Sequence, residues 1–221
     1  MTSVWVISLM MYNISAGRLR MALAHLFNYD FLLRTQSEGL TVWKGSMNDV
    51  KDGQQNIQTF CQNGVFINKD VTSKKELVFV MKTRKNRPRG SVLRRQCYCP
   101  AREVDDKTRS CLVCRMEVLL ADIPVEEIVW TFAAQPFLKT TREQLARIGC
   151  GDGARLMTFK AYRGGKATDL AKAGVSLGYI CKEAEWKKSA RAWDRYVDED
   201  KVDPAKILDA MFDFSEDEEN E

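Results

Sequence analysis

Histidine is almost missing from this chain: among 221 residues there is one, His25. A multi-histidine metal centre is therefore excluded, and imidazole acid–base chemistry has a single candidate. No run is apolar enough to suggest a membrane span. The N-terminal stretch from Val4 to Tyr12 is apolar but too short to cross a bilayer. It lacks a basic leader and a clear small-residue cleavage site, so it does not read as a secretion signal. No internal repeat is evident. Seven cysteines, an odd number, without such a signal point to a reducing, intracellular compartment in which disulfides are not expected.

Net charge is small, +4 from 34 Lys+Arg against 30 Asp+Glu, but it is unevenly spread. The C-terminal segment DFSEDEENE holds six acidic residues and no basic one, the pattern of a solvating tail. Without it, 34 basic residues face 24 acidic ones, a body of about +10. The densest stretch, Lys74 to Arg95, has nine Lys or Arg against Glu76 alone. Such clustering favours a phosphate-rich partner over a merely solvated face. With 45% hydrophobic and 10% aromatic residues the chain can build a core, and its length suits one domain with at most a small appendage.

Helical periodicity marks Arg18 to Leu33 (RLRMALAHLFNYDFLL) as an amphipathic helix, with Gly39 as its breaker. Short strands follow at Gly64–Lys69, Glu76–Lys82 and Ser91–Cys99, the last two joined by the turn RKNRPRG. Helices return at Arg142–Ile148 and at Ala161–Ala173, which Gly174 ends. A further helix runs from a Ser176 cap to about Glu183, then others over Ala190–Val197 and from Pro204. The expected class is α+β: mainly helical, with a small antiparallel sheet and a basic hairpin tip.

Four separated pieces then line up: FLLRTQSEGL with Arg34, VMKTRKNRPRG with Lys82, TFKAYRGGKATDLAKAG with Lys160 and Arg163, and EAEWKKSARAWDRYV with Trp186 and Tyr196. This order resembles the catalytic domain of tyrosine recombinases, the phage-integrase family. The phrases FLLRTQSE, MKTRKNRPRGSVL and FKAYRGGKATDLAKAG are similar to the eukaryotic branch carried by crypton-like mobile elements. The resemblance runs from about Leu19 to Val197. It implies an extension over 1–17, a catalytic domain over 18–203, and a C-terminal helix with acidic tail over 204–221. It also implies double-stranded DNA as partner, a nuclear location, a homotetramer on DNA and no required cofactor.

Those residue types suit the chemistry. Two arginines, Arg34 and Arg163, can neutralise non-bridging phosphate oxygens through forked, charge-assisted hydrogen bonds. The resemblance makes Tyr196 the nucleophile, a phenol of pKa about 10 that the site must deprotonate. It gives Lys82, with Lys85 close behind, the protonation of the leaving 5′-oxygen. The resemblance makes Trp186 an indole donor to phosphate, with core packing as the other reading, and Lys160 stands where most members carry histidine. Lys160 is therefore assigned to phosphate stabilisation. Arg84, Lys85, Arg87, Arg89 and Lys166 are expected to contact DNA. The family's supporting carboxylate falls three positions after the arginine, where Ser37 stands; Glu38 comes one step late. His25 reads as a packed or surface residue rather than a substitute base. The alternative to an active recombinase is a degenerate remnant that binds DNA without cutting it.

Cys97-x-Cys99 and Cys111-x-x-Cys114 stand eleven residues apart. Four thiolates so spaced can make a closed, structural zinc site; four reduced cysteines in a polar loop are the competing reading. A third function follows from zinc: an interaction module with no nucleic-acid role. Cys61, Cys150 and Cys181 are isolated and read as core residues.

Overall fold

The computed structural model describes residues 1–45, 62–69, 75–82, 84, 87, 89–99 and 111–186. Cys61, Lys85, Tyr196 and the helices expected over 190–197 and after Pro204 lie outside the described residues. The chain begins with α1 (Ser3–Ser15), α2 (Leu19–Asp30) and a π-helical turn (Thr35–Gly39). Strands β1 (Trp43–Lys44), β2 (Gly64–Asn68), β3 (Glu76–Met81) and β4 (Ser91–Gln96) follow. Then come α3 (Leu112–Ala121), α4 (Ala134–Arg147), α5 (Gly153–Leu156), α6 (Ala161–Lys172) and α7 (Leu177–Ala184). The class is α+β.

Helix α2 is the central strut. Every residue from Ala22 to Tyr29 is buried, so it is a core helix enclosed by neighbours rather than an amphipathic surface one. Against it packs α1, formed by the stretch expected as an extension; Val6, Leu9 and Met10 join the same core. Helix α2 also stops earlier than expected. The backbone turns left-handed at Leu32 (φ 48°), well before Gly39. Arg95 of β4 caps its end, Nε and Nη2 donating to the Asp30 carbonyl at 3.0 and 2.8 Å, with the guanidinium 4.9 Å over the Phe31 ring. Gly39 serves a different purpose from helix breaking: a Cβ there would lie 1.9 Å from Asn28 Oδ1, so the π-helical turn can sit on α2 only without a side chain.

The sheet order is β1-β2-β3-β4. Strand β3 pairs antiparallel with both neighbours, Phe79 opposite Val65 and Leu93. The wholly antiparallel sheet expected from the hairpins is corrected at its edge, where β1 runs parallel to β2 with Trp43 opposite Gly64. The 126–129 segment fixes β1 from its other side. The Val129 N–H donates to Val42 O, and the Lys44 N–H to Glu127 O, both at 2.9 Å. Strand β3 reads ELVFVM, nearly unbroken in apolar residues, because both faces are covered. Leu77, Phe79 and Met81 enter the main core beside Phe27 and Phe31, while Val78 and Val80 pack with Phe66 and Val92 on the other face.

Helix α4 begins at Ala134, eight residues before the expected Arg142 start, whereas α6 and α7 follow their local signals. Gly174, at φ 80°, ends α6. Ser176 then caps α7, its hydroxyl accepting the Tyr179 N–H at 3.3 Å.

Candidate functional site

Arg34 stands where the chain leaves α2 and enters the π-helical turn. There the Gly39 N–H bonds Arg34 O at 3.2 Å and the Leu40 N–H bonds Thr35 O at 3.0 Å, both spanning five residues. The wider turn absorbs one extra residue. Glu38, one step late by sequence, thereby comes under Arg34. Arg34 Nη1 donates to Oε1 at 2.7 Å and the Arg34 backbone N–H to Oε2 at 3.0 Å. Glu38 is thus the carboxylate that holds Arg34, although it stands four positions after it rather than three.

Glu38 is 3% exposed, and a buried carboxylate needs partners. A second one comes from the hairpin: Arg84 donates Nε to Oε1 at 3.2 Å and Nη2 to Oε2 at 3.3 Å. Burial alone would raise the Glu38 pKa. The charge of Arg84, the Arg34 backbone N–H and the charge of Arg163 outweigh it and hold the carboxyl below its ordinary range. Arg84 also reaches α7, Nη1 donating to Glu185 Oε2 at 2.8 Å, and Ser91 Oγ donates to Glu185 Oε1 at 2.5 Å. The expectation that Arg84 faces DNA is corrected: two carboxylates draw it inward until its side chain is 1% exposed.

Glu185 is the residue that sequence reasoning missed. It occupies the left-handed position after α7 (φ 50°), where glycine is the usual choice. The Trp186 N–H bonds Cys181 O at 2.8 Å, closing the helix end and setting the indole in place. The Arg163 guanidinium, from the first turn of α6, lies 5.2 Å over the Trp186 ring and donates Nη2 to Ala184 O. Arg34, Arg163 and Trp186, distant in sequence, thus meet around Glu38, Arg84 and Glu185. Arg163 is 2% exposed; the Arg34 side chain, at 31%, is the more open of the two arginines expected to hold phosphate.

The remaining predicted residues divide. Lys82, at the end of β3, is exposed, and its backbone N–H donates to Asn63 Oδ1 at 3.2 Å. Arg87 and Arg89 are exposed at the hairpin turn, and Lys160 is exposed at the start of α6. Lys166, expected on DNA, instead pairs with Asp30 at 3.2 Å and lies 4.8 Å over the Tyr29 ring, because its side of α6 packs on α2. His25 is wholly buried. Its Nδ1 meets Tyr162 Oη at 2.5 Å and its Nε2 faces Gln144 Oε1 at 3.4 Å. Burial pushes its pKa down to about 3, against a weaker upward pull from Gln144. It is a neutral core residue, not a base for this site.

Apart from this cluster, Cys97, Cys99, Cys111 and Cys114 bring their sulfurs within 4.8 Å of one another. All four are reduced, and together they could hold a metal ion. Cys181 is buried as expected, while Cys150 is partly exposed.

Among the described residues no helix is long and apolar enough to cross a membrane. The chain matches no protein-family model, no curated protein and no solved structure.

Proposed function

We propose that this chain cleaves and rejoins DNA strands through a 3′-phosphotyrosyl intermediate, as a tyrosine recombinase catalytic domain. The observation that carries this reading is the meeting of Arg34, Arg163 and Trp186 around Glu38, with the π-helical turn making good the one-residue offset. Arg34, oriented by Glu38, grips a non-bridging oxygen of the scissile phosphate. Arg163 adds a second fixed cation as negative charge grows on the phosphorus oxygens. Tyr196 gives up its phenolic proton to solvent water and attacks phosphorus; the P–O5′ bond breaks, a 3′-phosphotyrosyl link forms, and Lys82 protonates the departing 5′-oxygen. The link conserves the bond energy, so the reverse attack by a 5′-hydroxyl reseals the strand. Lys160 serves as a further cation in place of the usual imidazole. The substrate is double-stranded DNA, the working form a tetramer, and the compartment the nucleus. The reaction needs no metal, and a Zn2+ on the four thiols would be structural.

The enclosure of Arg163 favours a second reading, a remnant that binds DNA without cutting it. A nicked suicide substrate separates the two. Strand transfer predicts a covalent protein–DNA adduct that Tyr196→Phe abolishes, seen as a shifted band after denaturing electrophoresis. DNA binding by both proteins with no adduct from either would favour the remnant.

A further inference from the structure

We infer that Cys97, Cys99, Cys111 and Cys114 form a tetrahedral Zn2+ site that pins the start of α3 to the end of β4. Cys97 Sγ lies 3.5 Å from Cys114 Sγ and 3.8 Å from Cys111 Sγ, and Cys114 Sγ lies 3.8 Å from Cys99 Sγ. None of these is a bonded sulfur pair. A tetrahedron with Zn–S bonds of about 2.3 Å has edges of about 3.8 Å. Three of the six sulfur pairs thus stand near the separation of zinc ligands, and all six lie within 4.8 Å. Three of the four are buried, which suits a closed site with no position for substrate.

Their place in the fold supplies a second, independent reason. Cys111 is the N-cap of α3, yet its side chain accepts no capping hydrogen bond. Cys114 lies in the first turn of the same ten-residue helix. A neutral thiol is a poor cap, whereas a metal-bound thiolate presents negative charge to the free N–H groups and to the positive end of the helix dipole. Four thiolates on Zn2+ leave a net charge of about −2, which requires a nearby cation. Lys75 provides one. Its carbonyl accepts the Cys97 N–H at 2.8 Å, and its ammonium group, also paired with Glu117, interacts with Cys97 and Cys114.

The far end of α3 is already held, because Lys44 Nζ donates to the carbonyls of Leu120 and Ile123. Zinc at the near end would fix the helix at both ends. Helix α3 packs on α2, β2 and β3, so the ion would tie the sheet to the helical core.

The test is metal analysis of the full chain, purified reduced, by mass spectrometry. About one Zn2+ per chain is expected. Co2+ in its place should give the visible bands of a tetrahedral tetrathiolate. Cys97→Ser with Cys114→Ser loses the ion, whereas Cys150→Ser retains it. Chelation lowers the thermal midpoint by on the order of 10 °C. A folded, reduced wild-type chain that takes up neither Zn2+ nor Co2+ overturns the inference, as does iron in the isolated protein. Because Co2+ is titrated into the unaltered chain, its uptake or refusal is decisive even if the serine variant fails to fold. No readout depends on DNA cleavage, so an inactive recombinase leaves the zinc site standing.

Discussion

Replacing Glu38 with glutamine destabilises the folded chain by about 3–5 kcal/mol, the range for removing one member of a buried ion pair. The carboxylate takes hydrogen bonds from both the backbone and the side chain of Arg34 and from two nitrogens of Arg84. Glutamine keeps the shape but loses the charge. Arg84, whose side chain is 1% exposed, then retains Glu185 as its charged partner among the described residues. With a slope of about 2 kcal/mol per molar urea, the midpoint falls by about 2 M. The double variant Glu38→Gln, Arg84→Met should be less damaged than the two single losses added, since each removes the other's uncompensated charge. Additive losses would show that the two residues do not act as a pair.

Acidification from pH 6.5 to 4.5 should remove about 2–3 kcal/mol of stability through His25 alone. Burial holds its folded pKa at about 3, well below the ordinary 6.5. The unfolded chain therefore binds a proton in this window that the folded chain refuses. The stabilisation is complete above pH 6.5 and drains away as pH falls towards 3. Glu38 has a depressed pKa, so its own contribution persists above the ordinary carboxylate value and is lost only at lower pH. Urea titrations at half-unit steps separate the two. His25→Gln should flatten the slope between pH 6.5 and 4.5 even if it costs stability at neutral pH. An unchanged slope in that variant would remove His25 as the cause.

Legibility in the sequence depends on whether a signal is local. Strands β2, β3 and β4, the Gly174 stop and the Ser176 cap are legible because each is written in adjacent residues. Helix α1 is not, because apolar residues surround it on every side and leave little amphipathic contrast. Val4, Ile7 and Met11 are exposed while Val6, Leu9 and Met10 are buried. Helix α3 hides behind cysteines, which are not usual caps. At the site, Arg34, Arg163 and Trp186 can be named from residue type and order. The fit of Glu38 cannot, because a π-helical turn has no simple sequence mark. Glu185 looks like any acidic residue at a helix end, and Arg84 like any member of a basic run. Only the fold brings a carboxylate from either side of the hairpin to Arg84.

That inward turn alters the ionic footprint of the basic run. Of its nine cations, Lys75, Arg84, Arg94 and Arg95 are matched to Glu117, Glu38 and Glu185, Glu76, and Glu183. Lys82, Arg87 and Arg89 are exposed. On duplex DNA each neutralised phosphate releases about 0.9 counterion. Nine phosphate contacts would give a log–log salt slope of about −8, and setting aside the four matched to carboxylates lowers that ceiling to about −4.5. Composition therefore overstates the free positive charge of this run, because the fold matches four of its cations internally.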